Sequence, residues 1–164
     1  MNELSHRQRP DPQKSLVGFV VGDVTYALDI RRVREIMNAG PVTPLPHAMV
    51  DVVGVADHRD EVVPVIDLRA RFGLPPVPTS RSTKWILVDT GTLRVALVVD
   101  AVTGVFGTGG EDLRPAPSVG GNREQRGILG VAGHGSGLAF VLDVGRFVEL
   151  ADALVASGLA SGAP

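Results

Sequence analysis

The stretch DHRDEVVPVIDLRARFGLP, residues 57–75, poses the central question of this chain. It opens on a turn of opposed charges, Asp57-His58-Arg59-Asp60-Glu61, and runs into the apolar segment Val62 to Leu68, which carries Pro64. A charged turn and Phe72-Gly73-Leu74-Pro75 close it. Acids and bases gathered beside a strand suit a reaction centre, and they equally suit a surface that another protein grips. Pro64 removes one ladder donor, which predicts that its strand lies at a sheet edge or at a bulge.

Upstream, Leu16 to Val21 and Val24 to Ile30 flank Gly22-Asp23. In the second run Val24, Tyr26, Leu28 and Ile30 alternate with Thr25, Ala27 and Asp29, the period of a β-hairpin. Arg31 to Met37 changes period: Val33, Ile36 and Met37 fit one short helical turn or an irregular strand. The prolines of Pro41 to Ala48 forbid regular helix, and Met49 to Val55 reads as a strand. Downstream, the proline-rich GLPPVPTSRS, residues 73–82, marks a boundary between two lobes. Lys84 to Asp89, Arg94 to Val99 and Val102 to Phe106 follow as strands, with Thr90-Gly91-Thr92 as a turn. Thr108 to Gly127 reads as a long loop, and Ile128 to Ala132 with Leu138 to Leu142 as a hairpin around HGSG. Val144 to Leu154 suits a short helix. Residues 1–14 read as a flexible arm, 15–150 as the domain, and 151–164 as a flexible tail. Many short strands with one or two short helices indicate an all-β barrel or sandwich, and two small barrels side by side fit.

Composition narrows the chemistry. The formal charge of -2 supplies no broad basic field for nucleic acid. The absence of cysteine removes disulfides, thiol catalysis and thiolate metal sites. The polar start MNELSHRQRPDPQK lacks the apolar run of a signal peptide, and no segment approaches the ~20 apolar residues of a membrane helix, so the expected location is the cytoplasm, without membrane insertion.

His6, His47, His58 and His134 show no metal-ligand spacing, and His58 reads as a solvated turn residue. Asp51, Asp57, Asp60 and Glu61 lack the glycine and the closing glutamate of a calcium loop, and nothing sets two of them in contrasting environments for acid–base work. The glycines at 107–110 and 120–121 match neither a P-loop nor a dinucleotide fingerprint. Ser136 in HGSG lacks the spacing of a nucleophile elbow. No catalytic residue, metal or cofactor is expected. What remains is interaction chemistry, with Arg59 between acids and Val33, Ile36 and Met37 interrupting a charged segment.

Several segments together resemble the CheW-like family, the chemotaxis coupling proteins and the matching domain of their histidine kinases. They are VREI (33–36), TPLPHA (43–48), GVADHRDEVVPVIDLRARFGLP (54–75), LVVDAVTGV (97–105), ILGV (128–131) and FVLDVGRFV (140–148). The resemblance runs from about Leu16 to Leu150. It implies two intertwined five-stranded SH3-like β-barrels and a non-catalytic, free-standing adaptor recruited to receptor arrays. Its implied partners are methyl-accepting chemotaxis receptors and the regulatory domain of a CheA-type histidine kinase. Val33, Glu35 and Arg59 match receptor-facing positions, with Val99 and Val102 in the groove between lobes. Val42, Thr43, Val53 and Gly54 match the kinase-facing surface. Glu35 and Arg59 would form an ion pair. The chain departs from the family's Asn-Leu-Arg-Gly with Asp57-His58-Arg59-Asp60, and Asp51 replaces an apolar residue. Both changes are expected to add negative charge beside these surfaces, and so to select partners by charge. The alternatives are a small β-barrel that binds a metabolite or acts as an enzyme, which needs a pocket with convergent polar groups, and a variant CheW-like scaffold in a non-chemotaxis receptor–kinase circuit.

Overall fold

The computed structural model describes residues 15–46, 51–108, 113–115 and 127–145. The expected arm and tail, most of the 108–127 loop, and all but the first two residues of the helix at 144–154 lie outside that set. Ten strands appear in it: β1 Ser15–Val21, β2 Val24–Asp29, β3 Val33–Asn38, β4 Val52–His58, β5 Glu61–Asp67, β6 Lys84–Asp89, β7 Arg94–Val99, β8 Ala101–Gly107, β9 Ile128–His134 and β10 Gly137–Leu142. The complete helical elements among the described residues are a 3-10 turn, Ile30–Arg32, and the four residues of α1, Leu68–Arg71, while Gly145 is helical where the described residues end. The ambiguous segment 31–37 is therefore both things in succession, a single turn and then a strand. Asp29 and Asp67 start the two helical turns, each accepting a hydrogen bond from the backbone N–H two residues on.

The strands form two five-stranded sheets, in the orders β8-β1-β2-β10-β9 and β3-β6-β7-β5-β4. Each consists of two antiparallel hairpins joined by one parallel pairing, β2 with β10 and β5 with β7, plus an antiparallel outer strand. The second sheet uses β3 to β7 in chain order. The first uses β8, β9, β10, β1 and β2 in the corresponding places, so it is a circular permutation of the same unit. Both sheets curl until their outer strands approach. Met37 and Ala39 pack on the cluster that contains Ala56, and Phe106 packs on the one that contains Ala132.

The largest core cluster belongs to both sheets. Phe19, Tyr26 and Leu28 of the first meet Ile66, Ile86 and Leu97 of the second, and the Tyr26 ring stacks 4.8 Å from that of Phe72. Consecutive residues of β6 go separate ways, Ile86 and Val88 to this cluster, Trp85 and Leu87 to another. Burial on both faces explains why that strand reads as an uninterrupted apolar run. Each fully buried aliphatic side chain contributes about 1.5–3 kcal/mol. A polar staple also links the sheets: Asp100, between β7 and β8, accepts from Gly22 N at 2.7 Å and from Arg69 Nε at 3.0 Å.

Two expectations need correction. The proline strand, β5, lies inside its sheet between β7 and β4 rather than at an edge, and the irregularity in its pairing with β4 falls between Val52 and Gly54, opposite Ile66 and Val65 and so beside Pro64. Pro64 is tolerated because its opposite residue, Val55, exchanges both backbone bonds with Thr43 instead of with β5. The parallel ladder to β7 begins only at Val65. The missing donor is thus never called on. The proline-rich stretch 73–82 joins α1 to β6 within the second sheet and does not separate the lobes. The chain crosses between sheets after Asp29 and again at Asp100. Proline-rich composition reports irregular backbone and is blind to which sheet flanks it.

Candidate functional site

The charged turn of the opening stretch is the tip of the β4–β5 hairpin. His58 pairs with Glu61, leaving Arg59 and Asp60 as a two-residue loop with φ of 50° and 65°. Two left-handed residues in succession define the turn that matches strand twist, normally made by Asn-Gly. Here both positions carry a Cβ, and the loop stores strain.

Strand alternation aims His58 inward, on the side of Gly54 and Ala56. Its Nε2 lies 3.0 Å from Glu35 Oε2, while Arg59 Nη2 lies 3.4 Å from Glu35 Oε1. Glu35 comes from β3, so the contact spans the seam between the second sheet's outer strands. A carboxylate only accepts, so the bond requires the hydrogen on Nε2. The expected proximity of Glu35 and Arg59 is present, and His58 joins them instead of standing in solvent as a turn residue. Its side chain is 20% exposed against 77% for Arg59. A strand read on from Val55 through His58, with every second residue from Gly54 facing inward, would have placed it.

A second group assembles around a backbone bridge. Thr43 and Val55 exchange N–H to carbonyl bonds of 2.8 and 2.9 Å. A Cβ at Gly54 would collide with the Thr43 carbonyl oxygen and sit 2.9 Å from Val42 Cγ1. Val42, Thr43, Val53 and Gly54 are therefore brought together, with Val53 exposed and Gly54 buried. Val42 and Val53 also border a cavity of about 200 Å³ walled by Val77, Trp85 and Arg69. That is below the ~300–1,000 Å³ of ordinary small-molecule sites, which weighs against the metabolite reading.

Val33 and Val102 are half-buried against the core shared by the two sheets. Val99 is only 1% exposed and belongs to that core, so it supports the groove from beneath rather than lining it. The end of a strand that passes straight into the other sheet is covered from both sides. Asp51 is likewise buried, with its carboxylate 3.3 Å from Arg71 Nη1. Its charge is met inside the chain and does not decorate a surface, whereas Asp60 stays exposed.

Among the described residues no three His, Cys, Asp or Glu side chains gather as metal ligands, and no helix is long and apolar enough to cross a membrane. His6 and His47 lie outside those residues. The second sheet thus carries a charged seam, Glu35 with His58 and Arg59, and the Thr43–Val55 bridge beside the exposed Val53.

The CheW-like domain matches residues 15–152. The chain is 33% identical to the chemotaxis protein CheW of Rhizobium meliloti, over 73% of this chain and 79% of that one. It is 32% identical to the protein FrzA of Myxococcus xanthus, over 73% and 74% respectively. The crystal structure of the scaffolding protein TtCheW from Thermoanaerobacter tengcongensis superposes with a TM-score of 0.72 at 26% identity, covering 80% of this chain and 89% of that one. The chain belongs to the CheW-like family, as a chemotaxis coupling adaptor.

Proposed function

We propose that this adaptor joins the cytoplasmic tip of methyl-accepting chemoreceptors to the regulatory domain of a CheA-type histidine kinase, without catalysis of its own. It works in the cytoplasm, recruited to receptor arrays, and residues 15–150 carry the activity. The observation that supports this best is the presence of two distinct residue groups on the second sheet. Glu35 and Arg59 meet at the seam, while Val42, Thr43, Val53 and Gly54 surround the Thr43–Val55 bridge. The first group, with Val33 and Val102, serves the receptor; the second serves the kinase. Exposed contacts of this kind give binding near the micromolar range, about −8 kcal/mol, which the repeated geometry of an array then multiplies.

A pull-down of the purified protein against the source organism's receptors and kinases tests this. Wild type recovers one of each, and Arg59→Ala loses the receptor but keeps the kinase and the melting temperature. Recovery of neither partner by the wild type defeats the proposal. A loss of thermal stability that matches the loss of binding makes Arg59 structural.

A further inference from the structure

We infer that His58 is a positioning residue, which holds Glu35 across the seam and so leaves the Arg59 guanidinium available to an acceptor oxygen of the bound partner. This rests on the receptor-facing reading of Glu35 and Arg59 and adds a residue to it. In the family pattern this position is leucine, which offers Glu35 nothing.

The geometry divides the carboxylate. His58 Nε2 takes Oε2 at 3.0 Å and Arg59 Nη2 reaches Oε1 at 3.4 Å, so the two contacts coexist on different oxygens. The His58 contact is the stronger of the two. It is shorter and more shielded, with side-chain exposures of 20% and 33% against 77% for Arg59. Imidazole also has two rotors to fix, against the long stem of arginine. An exposed arginine pair at that distance is weak. Glu35 is anchored without Arg59, and the guanidinium can leave it without abandoning a half-buried carboxylate. With leucine at 58, Glu35 has Arg59 alone, and departure of the guanidinium to a partner strips the carboxylate of its remaining donor.

The test uses the full chain with His58→Leu, His58→Gln and His58→Leu/Glu35→Gln. The first readout is receptor affinity, against the cytoplasmic fragment of a receptor from the source organism. The second is the NMR exchange rate and order of the Arg59 guanidinium Nη–H groups in the free protein. His58→Leu is expected to weaken binding by about fivefold or more, an effect near 1 kcal/mol, and to slow and order the Arg59 N–H. His58→Gln keeps a donor and stays within about twofold of wild type. The double variant releases Arg59, read as fast exchange and low order of its N–H groups in the free protein; its affinity is no readout, because Glu35 itself faces the receptor. Unchanged affinity in His58→Leu, or an Arg59 signal in the double variant that stays as slow and ordered as in His58→Leu, overturns the inference. If wild type fails to bind the fragment, the receptor reading fails by itself, and the Arg59 signal then decides: slowed exchange in His58→Leu upholds the role of His58, and unchanged exchange removes it.

Discussion

The two barrels close the same seam with different chemistry. His58 ends β4 and His134 ends β9, corresponding strands of the permuted unit, and each histidine precedes a two-residue turn. Each reaches the outer strand across the gap. His58 meets a carboxylate, Glu35 of β3, whereas His134 meets a phenyl ring, Phe106 of β8, at a centroid distance of 4.3 Å. Their turns differ too: Arg59-Asp60 is charged and strained, while Gly135 takes its φ of 59° at no steric cost. A seam that only has to stay shut is closed by an aromatic contact and a glycine turn. A seam made of exchangeable charges can open its partners to another protein.

The largest expected effect lies beside the charged seam. Gly54→Ala drives a Cβ into the Thr43 carbonyl. It should destabilise the protein by about 2–3 kcal/mol in urea unfolding, and it should also abolish kinase recovery by displacing Val42. Wild-type stability in that variant would break the account of the bridge. Next, the two seams can be compared directly. Phe106→Ala removes apolar contact from the first barrel and should cost about 2 kcal/mol, since Phe106 is only half-buried. Glu35→Gln should cost about 1 kcal/mol or less, because Arg59 is exposed and the amide oxygen of Gln can still accept from His58. Equal losses would erase the distinction between a packed seam and a charged one.

Asp60→Gly acts with the opposite sign. Relieving the strain at a φ of 65° should stabilise the chain by about 1 kcal/mol, read as a rise in melting temperature. A fall instead would mean that the Asp60 side chain anchors the turn. The smallest effect is on pH. The hydrogen-bonded Arg31 guanidinium holds the Asp29 carboxyl below its usual range. The Gly91 N–H, followed by Arg34, does the same for Asp89. A lowered folded value means stabilisation that is complete above the unfolded pKa of about 4 and lost as pH falls through the folded one. Arg34→Gln should therefore lower the melting temperature slightly at neutral pH, by a difference that vanishes as pH falls below about 4, and so flatten the acid limb of the profile.

Local chemistry was legible in the residues. The hairpins at 16–30, 84–99 and 128–142 follow from alternation and turn residues, and Glu35 beside Arg59 follows from the resemblance. Three readings needed the folded chain, each for a reason of packing. Pro64 sits inside a sheet because Val55 turns its backbone groups toward Thr43, a pairing between segments that sequence does not announce. Asp51 is silent on the surface because Arg71 lies within reach of it. His58 belongs to the site because β3 closes against β4, which brings Glu35 from 23 residues away.

Strand period and turn positions were determined by the sequence alone, since they depend on neighbours along the chain. Which strands pair, where the chain changes sheets, and which charges meet were decided only by tertiary structure. Those depend on two five-stranded units that must bury a common core, and one of them is assembled from both ends of the described chain.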